Sequence, residues 1–300
     1  MTFGDMIAMA LNNAEMAAAK ALIRLALVED MGQRGDLTST ATIPENAVGQ
    51  ANVVARAAGV IAGLPVTGLV FAAVDARLVF EPQVEDGTAA QPGNILATIT
   101  GPMRAMLAAE RTALNFLQHL SGVATLTRRY VDAAGGRGKI FDTRKTLPGW
   151  RLLEKYAVRC GGGHNHRLGL DDALLIKDNH VQALGGGPAG TFAAIAAARA
   201  HAPGLPIEVE VDSLEQFEAA LKAKPEIILL DNMKPDLLRQ CVDRRDAMAR
   251  DVQLEASGGV NLDTVATIAA TGVDRISVGA LTHSAPALDI ALDYRSENSA

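Results

Sequence analysis

"IEVEVDSLEQFEAALKAKPEIILLD", residues 207–231, decides the fold. Two short apolar runs, "IEVEV" and "IILLD", flank a stretch (213–223) that reads as a helix. A strand, a helix and another strand in that order make a parallel β/α unit, because parallel strands need a crossover of this length. Working outward, "KIFDTRK", "ALLIKDNH", "QLEASGG" and "RISVGAL" repeat the pattern: an apolar run that ends in polar or small residues. Further helices are expected over 189–201, 236–249 and 261–270. Six such runs argue for parallel β/α architecture after Gly138. In a β/α barrel the active site lies at the C-terminal strand ends, and an open doubly wound sheet places ligands there too.

Upstream the pattern differs. Residues 5–31 read as a helix that stops at Gly32, and "GDLTSTATIP" (35–44) reads as turn. "GQANVVARAAGVIAG" and "ARLVFEPQVEDGTAAQPGNILATITGP" read as short strands with Gly and Pro turns, and 103–133 returns to helix. The shift near 102–112 marks the expected domain boundary.

The 300 residues are 49% hydrophobic and 21% charged, enough for a substantial core. A net charge of −6 argues against a nucleic-acid surface, so any anion site must be a local basic pocket. Cys160 and Cys241 fit neither a disulfide framework nor a zinc spacing, which points to a reducing cytoplasm. The N-terminus lacks a basic start, and Asn12, Asn13 and Glu15 interrupt its apolar character, so no signal peptide is expected. The apolar window 59–74 holds Pro65 and three glycines and is too broken to span a membrane.

Several runs end in reactive side chains. Alternation in "IEVEVDS" puts Glu208, Glu210 and Asp212 on one face, and Asp231 ends the next run. Such an acidic wall suits a metal, sugar hydroxyls or a cationic transition state; a solvated edge strand gives the same pattern. "DTRK" places Arg144 and Lys145 at a strand end, where Asp142 offers a surface salt bridge instead. "CGGGHNHRLGLDDALLIKDNH" (160–180) adds His164, His166, Arg167 and Lys177. A His-x-His pair on a strand could bind zinc, but the adjacent Arg167 disfavours a dication. His166, Arg167 and Lys177 together suit an anion. Lys177 could also serve as a Schiff-base lysine. "ASGG" (256–259) and "SVGA" (277–280) are small-residue turns that let a phosphate approach backbone amides, or simply let strand and helix pack closely. The glycine triplets at 161–163 and 185–187 read as flexible loops, His119 and His201 as structural or solvated, and Trp150 as a pocket cover or a packing residue.

Read together, "ERTALNFLQHLSGVATLT", "DTRKTLPGWRLLEKYAVRCGGGHNHRLGLDDALLIKDNH", "EVEVDSLEQFEAAL", "ILLDNM", "EASGGV" and "SVGALTHS" closely resemble the quinolinate phosphoribosyltransferase family. "ALVEDMGQRGDLTS" and "ANVVARAAGVIAGLP" extend the resemblance over nearly the whole chain. It implies the type II phosphoribosyltransferase fold: an N-terminal α/β sandwich domain (1–111, joined by the C-terminal tail 286–300) and an irregular, incomplete β/α barrel (112–285). It implies transfer of phosphoribosyl from 5-phosphoribosyl 1-pyrophosphate to quinolinate with decarboxylation, in NAD biosynthesis, with Mg2+ required and Glu210, Asp231 and pyrophosphate as its candidate ligands. By motif match, Arg111, Arg144, His166, Arg167 and Lys177 would hold quinolinate. Lys145, Glu210, Asp231, Ser257, Gly258 and Gly279 would face the donor, with Lys145, Glu210, Asp231 and Lys177 as the catalytic set. A homodimer that shares Arg111 across its interface is also implied. Asp171 stands where the resemblance leads one to expect an aromatic residue. The alternatives are a related molybdenum-associated pyrophosphorylase-like group, a Schiff-base aldolase barrel using Lys145 or Lys177, and a non-catalytic anion-binding protein.

Overall fold

The sequence-defined runs become strands in a computed structural model that describes residues 11–295. The strands are β1 (Val48–Ala55), β2 (Gly59–Val60), β3 (Val79–Pro82), β4 (Ala89–Ala90), β5 (Ile95–Pro102), β6 (Lys139–Phe141), β7 (Leu174–Ile176), β8 (Ile207–Val211), β9 (Ile227–Asp231), β10 (Gln253–Ser257), β11 (Arg275–Ser277) and β12 (Ile290–Arg295). Two compact units form. The chain through Arg128, Thr146–Gly162 and the segment from Leu281 make the first; Arg129–Lys145 and Gly163–Ala280 make the second.

The first unit carries an antiparallel sheet in the order β12-β1-β5-β3 and a small β2-β4 pair. Its central strand β1 pairs Ala51 with both Ile99 and Tyr294, and Ala51, Val53 and Ala55 are fully buried. Helix Asn13–Met31 starts on a capping box: Asn12 accepts from the Glu15 amide, and Glu15 accepts from the Asn12 amide, each at 2.9 Å. The helix expected from residue 5 therefore begins at Asn13, and residues 5–10 lie outside the described residues. The stretch read as turn at 35–44 holds a short helix, Leu37–Thr42, because Asp36 caps it by accepting from the Ser39 amide. Helix Leu64–Val74 takes Pro65 in its first turn, where a missing N–H costs nothing.

The expected boundary at 111/112 is displaced. The first unit runs on along helix Met103–Ala134 to Arg128 and also claims Thr146–Gly162. Contacts of helix Arg151–Cys160 explain the second shift. The Tyr156 hydroxyl donates to Asp86, Arg159 reaches Glu15 at 2.8 Å, and the fully buried Glu154 meets His119 at 2.9 Å. Gly161 is a packing residue and not a loose hinge, since a Cβ there would lie 2.4 Å from the Ala124 carbonyl oxygen. Trp150 stacks on Phe116 with ring centroids 4.7 Å apart, a packing role. The returning chain passes Gly122 so closely that a Cβ would sit 2.2 Å from the Pro286 oxygen, then enters the sheet as β12. Residues 296–300 of the tail are outside the described residues.

The second unit is a parallel six-stranded sheet in the order β6-β11-β10-β9-β8-β7. First and last strands pair through β6 and β11, as in a barrel, but β6 and β7 do not. A single parallel bridge, Phe141 with His164, occupies the β6 edge. The result is a β/α barrel left incomplete between β6 and β7. His164 and His166 therefore lie on a bridge and a loop, not on one face of a regular strand. Helices Gly187–His201, Leu214–Ala223 and Pro235–Met248 supply crossovers; the one expected over 261–270 contracts to Val265–Ala269. Val209, Ile228, Leu230, Leu254 and Ile276 are fully buried, each contributing about 1.5–3 kcal/mol by leaving water. No helix among the described residues is long and apolar enough to cross a membrane. Both cysteines are buried free thiols.

Candidate active site

Partners in register across a sheet share a face, so the strand pairings build the site in layers. Glu210 pairs with Leu229, Leu229 with Glu255, and Glu255 with Arg275. Two residues on, at the strand ends, Asp231 pairs with Ser257. Lys177 follows the Ile176–Val209 pair and so stands beside Glu210, with Nζ 3.8 Å from the carboxylate. Burial pushes the Glu210 carboxyl up, Lys177 pulls it down, and the neighbouring Asp231 and Asp178 push it up again; the net direction is upward. Asp212, on the same face, is exposed beyond the strand end.

The cations gather on neighbouring segments. Arg144 is half-buried just past β6, and Arg167 is half-buried on the loop after His166. Burial and then the charge of Arg144 lower the Arg167 pKa, so two guanidinium groups stand close enough to repel. Arg167 donates to the Ala173 carbonyl at 3.2 Å. Asp142 is not the surface salt-bridge residue of the simplest reading. It is fully buried and accepts from the Asn165 side chain at 2.7 Å and the His166 amide at 2.8 Å, which ties the 164–167 loop to the end of β6.

A second, more deeply buried cluster forms around His166. His166 Nε2 is 2.9 Å from Glu208 Oε2 and 3.3 Å from Glu255 Oε1, while Nδ1 accepts the Arg167 amide at 2.8 Å. Burial opposes a charged ring, but the hydrogen bonds and charges of the two carboxylates outweigh it and push His166 up to about 9. The Arg167 amide pulls the other way. A protonated Nδ1 would set two N–H groups face to face, so in this arrangement the proton sits on Nε2 alone. That tautomer also speaks against a metal held by His166, Glu208 and Glu255, whose ligand atoms lie within 4.8 Å of one another, because Nε2 has no lone pair to give. Glu255 is held below the usual carboxylate range: burial opposes this, but His166, Arg275 and Ser277 together prevail. Glu208 is held above that range by burial and by Glu255.

Strand alternation finds Glu208 in the sequence. It finds Glu255 as well once applied to "QLEAS", where Leu254 and Ala256 flank it, and Arg275 follows from the register with β11. Asn165 carries no sequence signal of its own.

Residues 36–121 match the N-terminal domain of quinolinate phosphoribosyl transferase, and residues 123–293 match its C-terminal domain. The chain belongs to this family. It is 51% identical over 288 residues to the nicotinate-nucleotide pyrophosphorylase [carboxylating] of Mycobacterium leprae, covering 94% of this chain and 99% of that protein. The solved NadC structure from Streptococcus pyogenes superposes with a TM-score of 0.86 at 42% identity, covering 92% of this chain and 97% of that one. The nicotinate-nucleotide pyrophosphorylase structure from Francisella tularensis gives 0.87 at 36% identity, over 93% and 96%.

The remaining residues singled out by resemblance to the quinolinate phosphoribosyltransferases fall as follows. Lys145 is exposed two residues after Thr143, whose hydroxyl accepts its amide at 3.0 Å. Ser257 ends β10, and Gly258 follows with a positive φ of 92°. Gly279 lies between β11 and the short turn of helix Ala280–His283. Arg111 belongs to the first unit, exposed on helix Met103–Ala134. Asp171 is exposed on the loop after Arg167.

Proposed function

We propose that this chain transfers the phosphoribosyl group of 5-phosphoribosyl 1-pyrophosphate to quinolinate, releasing pyrophosphate and carbon dioxide and forming nicotinate mononucleotide. One observation carries the reading: repelling guanidinium groups of Arg144 and Arg167 share a parallel-strand rim with the carboxylates Glu210 and Asp231. A dianionic pyridine suits the first set. A sugar that becomes cationic as its pyrophosphate leaves suits the second.

On this reading Arg144, Arg167 and Lys177 hold the quinolinate carboxylates, and Arg111 reaches the site from the other subunit of a two-fold homodimer. Lys145 stabilises the departing pyrophosphate, while Ser257, Gly258 and Gly279 line the donor's phosphate path. Glu210 and Asp231 stabilise the oxocarbenium-like ribose by charge and hydroxyl contacts. The pyridine nitrogen attacks C1 and becomes cationic. Loss of the adjacent carboxylate then leaves a carbanion beside that positive nitrogen, and Lys177 stands as its proton donor. Glu210 and Asp231 also offer the oxygen ligands magnesium takes, and their mutual repulsion is what a dication relieves. When bound, magnesium neutralises charge on the pyrophosphate.

A Schiff-base aldolase fits less well. Such a lysine must be desolvated, whereas the Lys177 side chain is 52% exposed and faces Glu210. Incubation with quinolinate, 5-phosphoribosyl 1-pyrophosphate and magnesium should yield nicotinate mononucleotide by mass spectrometry. Folded protein that makes none, or that traps a carbonyl substrate with borohydride, refutes the assignment.

A further inference from the structure

Glu255 is fully buried, and no step above uses it. Its Oε1 accepts from the Ser277 hydroxyl and from His166 Nε2; its Oε2 accepts from Arg275 Nε at 2.5 Å. The Arg275 guanidinium lies 3.7 Å above the Phe141 ring, which stacks on His164 with centroids 5.3 Å apart. Glu208 grips the same His166 nitrogen from β8, and its second oxygen has no hydrogen-bond partner among the described residues. These contacts converge on one loop. Asp142 fixes the His166 amide, and the His166 ring fixes the Arg167 amide. Both imidazole nitrogens are thereby engaged within the protein.

We propose that Glu255, with Glu208, is a positioning residue for the anion site: it holds the His166 ring so that Nδ1 fixes the Arg167 backbone and aims the guanidinium. This rests on the reading that Arg167 holds a quinolinate carboxylate. It gives His166 a different task from the one implied by resemblance. His166 acts through Arg167 and does not itself touch the substrate.

Glu255→Gln tests the clamp. However the amide is turned, an N–H faces either Arg275 or His166 Nε2–H, both donors, so the grip loosens. Hydrogen-exchange NMR on the ligand-free protein should show the Arg167 amide exchanging about tenfold faster or more, with Leu230 and Ile276 unchanged. Calorimetry should show the quinolinate dissociation constant rising about tenfold and that of the phosphoribosyl donor staying within about twofold. An Arg167 amide that exchanges at the wild-type rate overturns the clamp. If the wild-type protein fails to bind quinolinate, the functional reading falls, and the exchange measurement still decides the clamp.

Should Glu255→Gln not fold, His166→Asn provides the second test. Introduced into Arg167→Ala, it should cause no further loss of quinolinate affinity, because His166 acts only through Arg167. An additive loss would mean that His166 contacts the substrate directly, and the proposal would be wrong.

Discussion

Gly258→Ala should damage both the stability and the donor site, and the structure sets the size of the effect. The backbone at Gly258 has φ +92°, a region where a side chain costs about 1–2 kcal/mol. An added Cβ would lie 2.2 Å from Asn232 Oδ1, 2.5 Å from its Cγ and 2.9 Å from its backbone nitrogen. The side-chain contacts resemble overpacking, at about 1–3 kcal/mol. The backbone contact is harder to relieve, because the Asn232 amide donates to the Ser257 carbonyl at 2.8 Å, a bond worth about 1 kcal/mol. Together these predict a loss of about 3–6 kcal/mol in urea unfolding. The Michaelis constant for 5-phosphoribosyl 1-pyrophosphate should rise, since Asp231 and Ser257 border the disturbed turn. Asn232 itself has φ 54°, so Asn232→Gly is tolerated by the backbone and removes the two shortest contacts. The double variant should regain about half of the lost stability, the φ strain and the backbone contact remaining. Wild-type stability in Gly258→Ala, or no recovery on adding Asn232→Gly, would refute the steric argument.

Nicotinate, with one carboxylate, should leave part of the cation cluster unpaired, so its kcat/KM should fall at least about a hundredfold below that of quinolinate; comparable turnover contradicts the dianion site. Glu210 ionises above the ordinary carboxylate range, so donor turnover should decline as pH falls through that raised pKa. Removing a like charge in Asp231→Asn should lower the Glu210 pKa and removing a cation in Lys177→Met should raise it; carboxyl NMR titrations that show neither movement reject the coupling. If Arg111 serves the neighbouring barrel, inactive Arg111→Ala and Lys145→Ala chains allowed to exchange subunits should regain roughly a quarter of wild-type activity, since half the dimers are mixed and each has one intact site. Verified exchange without recovery assigns Arg111 to its own barrel.

The parallel strands are legible in sequence because each buries a short apolar run and then ends abruptly. Glu210 and Asp231 follow from alternation and strand ends alone. What stays hidden depends on partners distant in the chain. Asp142 looks like half of a surface ion pair until the 164–167 loop folds over it. Thr146–Gly162 looks like part of the barrel until Glu15 and Asp86 claim Arg159 and Tyr156. The helix at Leu37–Thr42 had a local signal, the Asp36 cap, but six residues among turn formers carry too little periodicity to show it.

On the proposed assignment, the charge arrangement explains how a chain of net charge −6 presents an anion site. In the buried cluster donors meet carboxylates: Glu255 takes the Arg275 guanidinium, and Glu208 and Glu255 share the His166 N–H. At the rim like charges also meet, Arg144 beside Arg167 and Glu210 beside Asp231, and the members of each pair repel, with Lys177 offsetting part of the repulsion on Glu210. The buried cluster fixes geometry. On the proposed assignment the rim stores repulsion that the correct ligands release, the anion at the guanidinium groups and the cationic ribose at the carboxylates. The carboxylate side gains most after the pyrophosphate leaves, when the ribose carries its positive charge. Loss of Glu210 should therefore slow the chemical step more than it weakens ground-state binding, whereas loss of Arg167 should chiefly weaken quinolinate binding.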